Sequence, residues 1–114
     1  MINGFKNETK QLTEYELKLI PIIVDKIKFN IGKDNAVKNK DIIRFLTLKG
    51  YEKITAVRIR KLIHFIRVKK LVSNLIATSK GYYRATTKDE LNNFVESLQQ
   101  RINSIEEVKK SFII

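Results

Sequence analysis

Residues 54–85 read ITAVRIRKLIHFIRVKKLVSNLIATSKGYYRA. A threonine followed by apolar residues at helical spacing predicts a helix that Thr55 caps and that extends to about Lys70. At about 100° per residue, one side of this third helix is apolar and the opposite side is basic. The side predicted to face the core carries Ile59, Leu62, Ile63 and Ile66.

The pattern changes after this helix from a helical period to a strand-like one. Residues 71–78 are rich in β-branched side chains and predict a strand. Ser-Lys-Gly at 79–81 predicts a tight turn, with the glycine at positive φ, into a second strand over residues 82–85. Because side chains alternate across a strand, one of Tyr82 and Tyr83 is expected to pack beneath this β-hairpin and the other to be exposed.

A first helix is predicted over residues 13–30. Thr13 followed three residues later by Glu16 can form a capping box that opens it. Pro21 lies inside the helical pattern and removes one backbone hydrogen bond, so the helix is expected to kink or split near that point.

A second helix is predicted over residues 40–49. A very short strand at 36–38 is expected to precede it, and Asn39 is the predicted N-cap. Gly50 is expected to end the helix. The chain therefore alternates short helices with short extended segments before the third helix.

The last predicted helix begins at a second capping box, formed by Thr87 and Glu90, and runs to about Phe112. At 1.5 Å per residue it would be about 40 Å long, more than the diameter of a small domain. Part of it is therefore expected either to project and pair with a second copy or to fold back onto the first helix. Its heptad-like apolar positions are Leu91, Val95, Leu98, Ile102, Ile105 and Phe112.

The length of 114 residues suits one domain with a single core. We expect an N-terminal tail over residues 1–12, a domain over 13–86 and a C-terminal helix over 87–114. The fold class predicted from these elements is mainly α with a small β-hairpin, that is, α+β.

The formal net charge of +11 indicates a polyanionic partner, either nucleic acid or an anionic membrane. The charge is local, because no Asp or Glu occurs between Lys53 and Lys88. After Lys88 acidic and basic residues mix. Ordinary solubilising charge is the alternative explanation of the cluster.

Several function classes are disfavoured by what the sequence lacks. Without cysteine there is no disulfide, thiolate zinc site or cysteine nucleophile. The pattern brings together no nucleophile with a base and no pair of carboxylates, and the chain has no glycine-rich phosphate loop. We therefore expect no enzyme activity, no cofactor and no metal. No stretch is apolar enough to cross a bilayer, and the first residues do not resemble a secretion signal, so a cytoplasmic protein is expected.

The order helix, short strand, helix, helix, hairpin, long helix resembles a winged-helix (winged helix-turn-helix) DNA-binding domain over about residues 13–86. The runs 59–67 and 75–85 resemble small phage and mobile-element winged-helix proteins, in which the Gly-Tyr-Tyr stretch closes the wing. The resemblance implies that the third helix enters the major groove of DNA and that the hairpin, as the wing, touches an adjacent phosphate or the minor groove. The residues it assigns to DNA binding are Thr55, Val57, Arg58, Arg60, Lys61 and His64 on the helix, with Lys80 and Arg84 on the wing.

The leading hypothesis is binding of double-stranded DNA by a regulator or replication-associated factor of a phage or mobile element. The outward side of the third helix lacks Asn and Gln, so phosphate contacts are expected to exceed base readout. The alternative is a protein-interaction module of the same fold, such as a phage inhibitor that docks onto a host nucleic-acid enzyme, and exposed Val57, Phe65 and Val68 would favour it. Membrane-surface binding is disfavoured because the core needs the apolar side of the helix.

Overall fold

The computed structural model describes residues 11–112, so most of the predicted N-terminal tail lies outside the described residues. Within this range the chain is mainly helical with one two-stranded antiparallel hairpin, which confirms the α+β class. The elements are α1 (Glu14–Ile27), a 3-10 turn (Lys33–Asn35), α2 (Asn39–Leu48), α3 (Ala56–Val68), β1 (Leu75–Thr78), β2 (Gly81–Arg84) and α4 (Lys88–Ser111).

Helix α1 begins at the predicted capping box. The Thr13 hydroxyl accepts a hydrogen bond from the Glu16 N–H at 3.1 Å, and the Glu16 carboxylate accepts one from the Thr13 N–H at 2.8 Å. The predicted split at Pro21 is wrong, since the helix continues through it to Ile27. Pro21 lies on the exposed side of α1, where water can satisfy the carbonyl that loses its partner.

The N-cap predicted for α3 is confirmed, whereas the N-cap predicted for α2 is not. Thr55 caps α3 as expected, since its hydroxyl accepts from the Arg58 N–H at 3.3 Å. Asn39 was predicted as the cap of α2, and this is wrong. The cap position is Lys38, whose N–H donates to the Asp41 carboxylate at 2.9 Å, and Asn39 is the first helical residue.

Strand β2 lies in the middle of a small sheet. It pairs with β1 on one side, and on the other Val37 exchanges two backbone hydrogen bonds with Tyr82, of 3.0 and 2.7 Å. The predicted short strand near residue 37 is therefore present as a single bridge. Gly81 has φ +120°, and a Cβ there would lie 2.4 Å from the Val37 carbonyl oxygen, so both the turn and the pairing require glycine.

The core lies between α1, α2, α3 and the inner side of the hairpin. The predicted core side of α3 is confirmed, since each of its four residues is at most 2% exposed. They pack with fully buried residues of α1 and α2, namely Leu19, Ile23, Ile27, Ile42 and Leu46.

Both hairpin tyrosines are buried, so the prediction that one of them is exposed is wrong. Tyr82 is 9% exposed and Tyr83 is 5% exposed. Tyr83 lies opposite Ile76, which is 1% exposed. Both sides of the hairpin are therefore shielded from solvent, the side that faces the core and the side that carries Tyr83 and Ile76.

Helix α4 packs along α3 and the hairpin. The alternative prediction, that it folds back onto α1, is wrong. The Phe94 ring lies 5.6 Å from the Arg67 guanidinium carbon, and seven residues later Arg101 lines a groove with Arg60. Arg60 precedes Arg67 in α3, so the two helices run antiparallel. No residue of α4 is fully buried, which leaves it attached by a few partly buried side chains.

Candidate nucleic-acid interface

A groove of about 410 Å³ lies between α3 and the hairpin. Three cationic side chains border it: Lys38 before α2, Arg60 on α3 and Arg101 on α4. Lys80 lies in the turn between Ser79 and Gly81, which also line the groove. We call this surface the basic groove. Its lining residues are Lys38, Asn39, Arg60, Ala77, Thr78, Ser79, Gly81, Tyr82 and Arg101, and Lys80 lies in the adjoining turn.

The wall of the basic groove is held by Tyr82. Its hydroxyl donates to the Asn39 side-chain oxygen at 2.6 Å and so ties β2 to the first turn of α2. Burial raises the pKa of Tyr82, while the nearby charge of Arg60 and the bond to Asn39 act in the opposite direction. The phenol is therefore neutral at physiological pH and acts as a structural donor.

Arg67 lies deeper than the groove cations, between α3 and α4. It is half-buried beside the Phe94 ring, a cation–π arrangement. Burial lowers the pKa of Arg67, and the charge of Arg101 adds to this effect. Helix α4 thus covers the flank of α3 on which Arg67 lies.

Of the predicted residues, Arg60 lines the basic groove, and Lys80 lies in the turn between its lining residues Ser79 and Gly81. Of the other predicted residues on α3, His64 is exposed, while Lys61 and Val57 are half-buried. The Thr55 hydroxyl already accepts a bond as the N-cap of α3.

Arg58 does not face outward as predicted. Its side chain is 11% exposed and donates two bonds to the Glu16 carboxylate, at 2.5 and 2.6 Å. A further bond of 3.0 Å reaches the Gln11 carbonyl. The reason is that α1 lies against this flank of α3, so the guanidinium is part of the packing between the two helices.

Arg84 also serves the fold at a different place from Lys80. Its guanidinium donates to the Ser73 carbonyl at 3.2 Å, the Ser73 hydroxyl at 3.1 Å and the Lys28 carbonyl at 3.2 Å. In the hairpin register it pairs with Leu75, at the end away from the turn. Arg84 was predicted to contact DNA from the wing. Its guanidinium instead binds the backbone at the end of α1, and it does not line the basic groove.

Three groove residues were not predicted from the sequence as DNA-binding residues: Lys38, Asn39 and Arg101. Lys38 and Asn39 reach the groove because Val37 pairs with Tyr82, a contact between distant segments. Arg101 reaches it because α4 runs antiparallel to α3. No local sequence signal identifies either placement.

Within residues 11–112, no group of three His, Asp or Glu side chains is arranged to hold a metal ion. Over the same range, each helix is too short or too polar to cross a lipid bilayer. In comparisons with protein-family models, curated proteins and solved structures, nothing matched this chain.

Proposed function

We propose that this chain binds double-stranded DNA through a winged-helix arrangement of α3 and the β-hairpin. The observation that carries the proposal is the basic groove, which is lined by cations from three separate segments, with Lys80 in the adjoining hairpin turn. Such a convergence is typical of a site for a polyanion, because like charges are brought together at a cost that a bound phosphate backbone relieves.

The chain order supports the winged-helix interpretation. The helix α1 is followed by an extended segment at Val37, the helices α2 and α3, and a hairpin whose second strand pairs with that segment. In winged-helix proteins the helix before the hairpin is the one that enters the major groove. Here that helix is α3, and the hairpin turn with Lys80 is the wing.

The side chains present favour phosphate contacts over base readout. Lys38, Lys80 and Arg101 are exposed cations that can neutralise phosphates without reading sequence. The outward side of α3 carries Val57, His64 and Val68 and has no Asn or Gln to read adenine, so only Arg60 and Lys61 could pair with a guanine edge. We therefore propose that affinity exceeds sequence specificity.

Salt dependence tests this proposal. With the three groove cations and Lys80 each neutralising one phosphate, log affinity should fall against log salt with a slope of about −3.6. The double change Arg60→Glu and Lys80→Glu should weaken binding to a random-sequence duplex by more than tenfold at low salt and flatten the slope by about 2.

The matched control is Lys18→Glu with Lys33→Glu, which changes net charge equally at two exposed lysines outside the basic groove. The control should retain most of the affinity, and circular dichroism should show that both variants are folded. Equal loss in both variants, or no loss in the groove variant, would overturn the assignment of the groove.

A protein-interaction module is the second candidate, and one observation favours it. Val68 is 62% exposed and lines an apolar groove of about 350 Å³ with Leu12 and Phe65. Val57 and Phe65, however, are half-buried instead of exposed. A gel shift at low salt separates the two candidates, because a protein that binds only other proteins leaves the duplex unshifted at micromolar concentration.

A further inference from the structure

Helix α4 carries apolar side chains along one side over its whole length, but only its first half rests on the domain. Leu91 and Leu98 are half-buried, and Phe94 lies against Arg67. From residue 101 onward every described side chain is exposed. We call the apolar residues between positions 102 and 112, the last described residue, the distal stripe. They are Ile102, 49% exposed, Ile105, 67%, Val108, 59%, and Phe112, 78%.

The distal stripe lies on the same side of α4 that meets the domain. At about 100° per residue, Ile102 and Ile105 continue the line of Leu91 and Leu98. The stripe is therefore the continuation of a packing surface beyond the edge of the domain. A helical segment of this length is only marginally stable by itself in water. An exposed apolar side of such a segment is typical of a surface that packs against a partner.

We infer that residues 102–112 pair with the same segment of a second copy of this chain, with the two helices antiparallel. The domain occupies the stripe side of α4 as far as Arg101. A parallel partner helix would bring a second domain into that space. An antiparallel partner meets only the distal stripe and carries its own domain beyond the opposite end, about a two-fold axis near residue 107.

The charges beside the stripe fit this pairing. With Ile102 opposite the partner's Phe112, Ile105 lies opposite the partner's Lys109. That register brings Lys109 close to the partner's Glu106, and the two-fold axis repeats the pair. The single lysine in the apolar pattern thus gains an opposite charge, which also selects this register over its neighbours.

The proposed interface is small, so we expect the affinity of the dimer to be low. A Phe side chain buries about 150–250 Å², and four apolar residues fall short of the roughly 800 Å² per partner of a standard interface. We expect a dimer that dissociates in the micromolar range.

Sedimentation equilibrium of the full chain tests the proposal without DNA, so its outcome is independent of the proposed function. The chain should change from monomer to dimer with increasing concentration. Ile105→Glu with Phe112→Glu should abolish the dimer, whereas Leu48→Glu, at an α2 side chain 82% exposed, should leave it unchanged. Glu106→Lys and Lys109→Glu should each weaken the dimer at least threefold, and their combination should restore it.

The direction of pairing is tested with single cysteines, since the chain has none of its own. Chains carrying Ile102→Cys and Phe112→Cys, mixed and oxidised, should form mainly the mixed disulfide. A parallel pair would form only the two symmetric disulfides. A chain that stays monomeric at all concentrations, or a predominance of symmetric disulfides, would overturn the inference.

Discussion

Arg58 on α3 holds Glu16 on α1 by two parallel hydrogen bonds, from Nε to Oε2 at 2.5 Å and from Nη2 to Oε1 at 2.6 Å. The same carboxylate accepts the Thr13 N–H and so also caps α1. The side chains are 11% and 6% exposed, which makes this a largely buried ion pair. One glutamate therefore fixes both the start of α1 and its position against α3.

Loss of Glu16 should destabilise the fold and change its response to acid. Glu16→Gln removes the carboxylate charge from this largely buried ion pair, at a cost of roughly 3 kcal/mol. The bonds from Arg58 lower the pKa of Glu16 below 4.5, so its contribution is present above pH 4.5 and is lost as the pH falls below that value. Denaturant unfolding across pH 3–7 should show a shallower acid decline for this variant. Glu14→Gln, at an exposed position of the same turn, should behave like the parent chain.

Substitution of Gly81 should cost more than substitution of Gly50. Both have positive φ, of +120° and +92°, but only at Gly81 would a Cβ meet backbone, at 2.4 Å from the Val37 oxygen. Gly81→Ala should therefore lose about 3 kcal/mol or fail to fold, whereas Gly50→Ala should lose about 1 kcal/mol. Thermal unfolding of the two variants compares them directly. Equal losses would contradict the close approach of Gly81 to the Val37 backbone.

The bond from Tyr82 to Asn39 should contribute about 1 kcal/mol. Tyr82→Phe removes it, and a double-mutant cycle with Asn39→Ala isolates the pair. Burial raises the pKa of Tyr82 above 10.0, so folding holds its proton, and the associated stability is present below pH 10 and lost as the pH rises further. The variant should show a less steep alkaline decline. A coupling energy near zero would show that the hydroxyl does not join the two elements.

Removal of the Phe94 ring should loosen α4 from α3. Phe94→Ala loses the contact with Arg67 and part of the few apolar contacts that hold this helix. Hydrogen exchange should become at least tenfold faster along residues 91–101, with little change in α1. Because Arg101 then leaves the basic groove, affinity for duplex DNA should fall a few-fold. Phe112→Ala, at the exposed end of α4, should change neither the exchange near residue 94 nor the DNA affinity of the monomer.

The sequence by itself determined the features that depend on neighbouring residues. Thr13 and Glu16 lie one turn apart, so their capping box is readable from the chain. The core side of α3 follows from helical spacing, and the hairpin turn follows from the glycine after Ser-Lys. These features predicted the order of the helices and of the hairpin along the chain.

Only the tertiary structure decided which charged side chains lie close to one another. Glu16 and Arg58 are 42 positions apart, and the helical spacing that places Arg58 on a flank of α3 does not say that α1 covers that flank. In the same way, the pairing of Val37 with Tyr82 brings Lys38 to the groove, and the antiparallel course of α4 brings Arg101 there. Such contacts depend on how whole elements pack, and that packing minimises exposed apolar area over the entire core instead of following any local pattern.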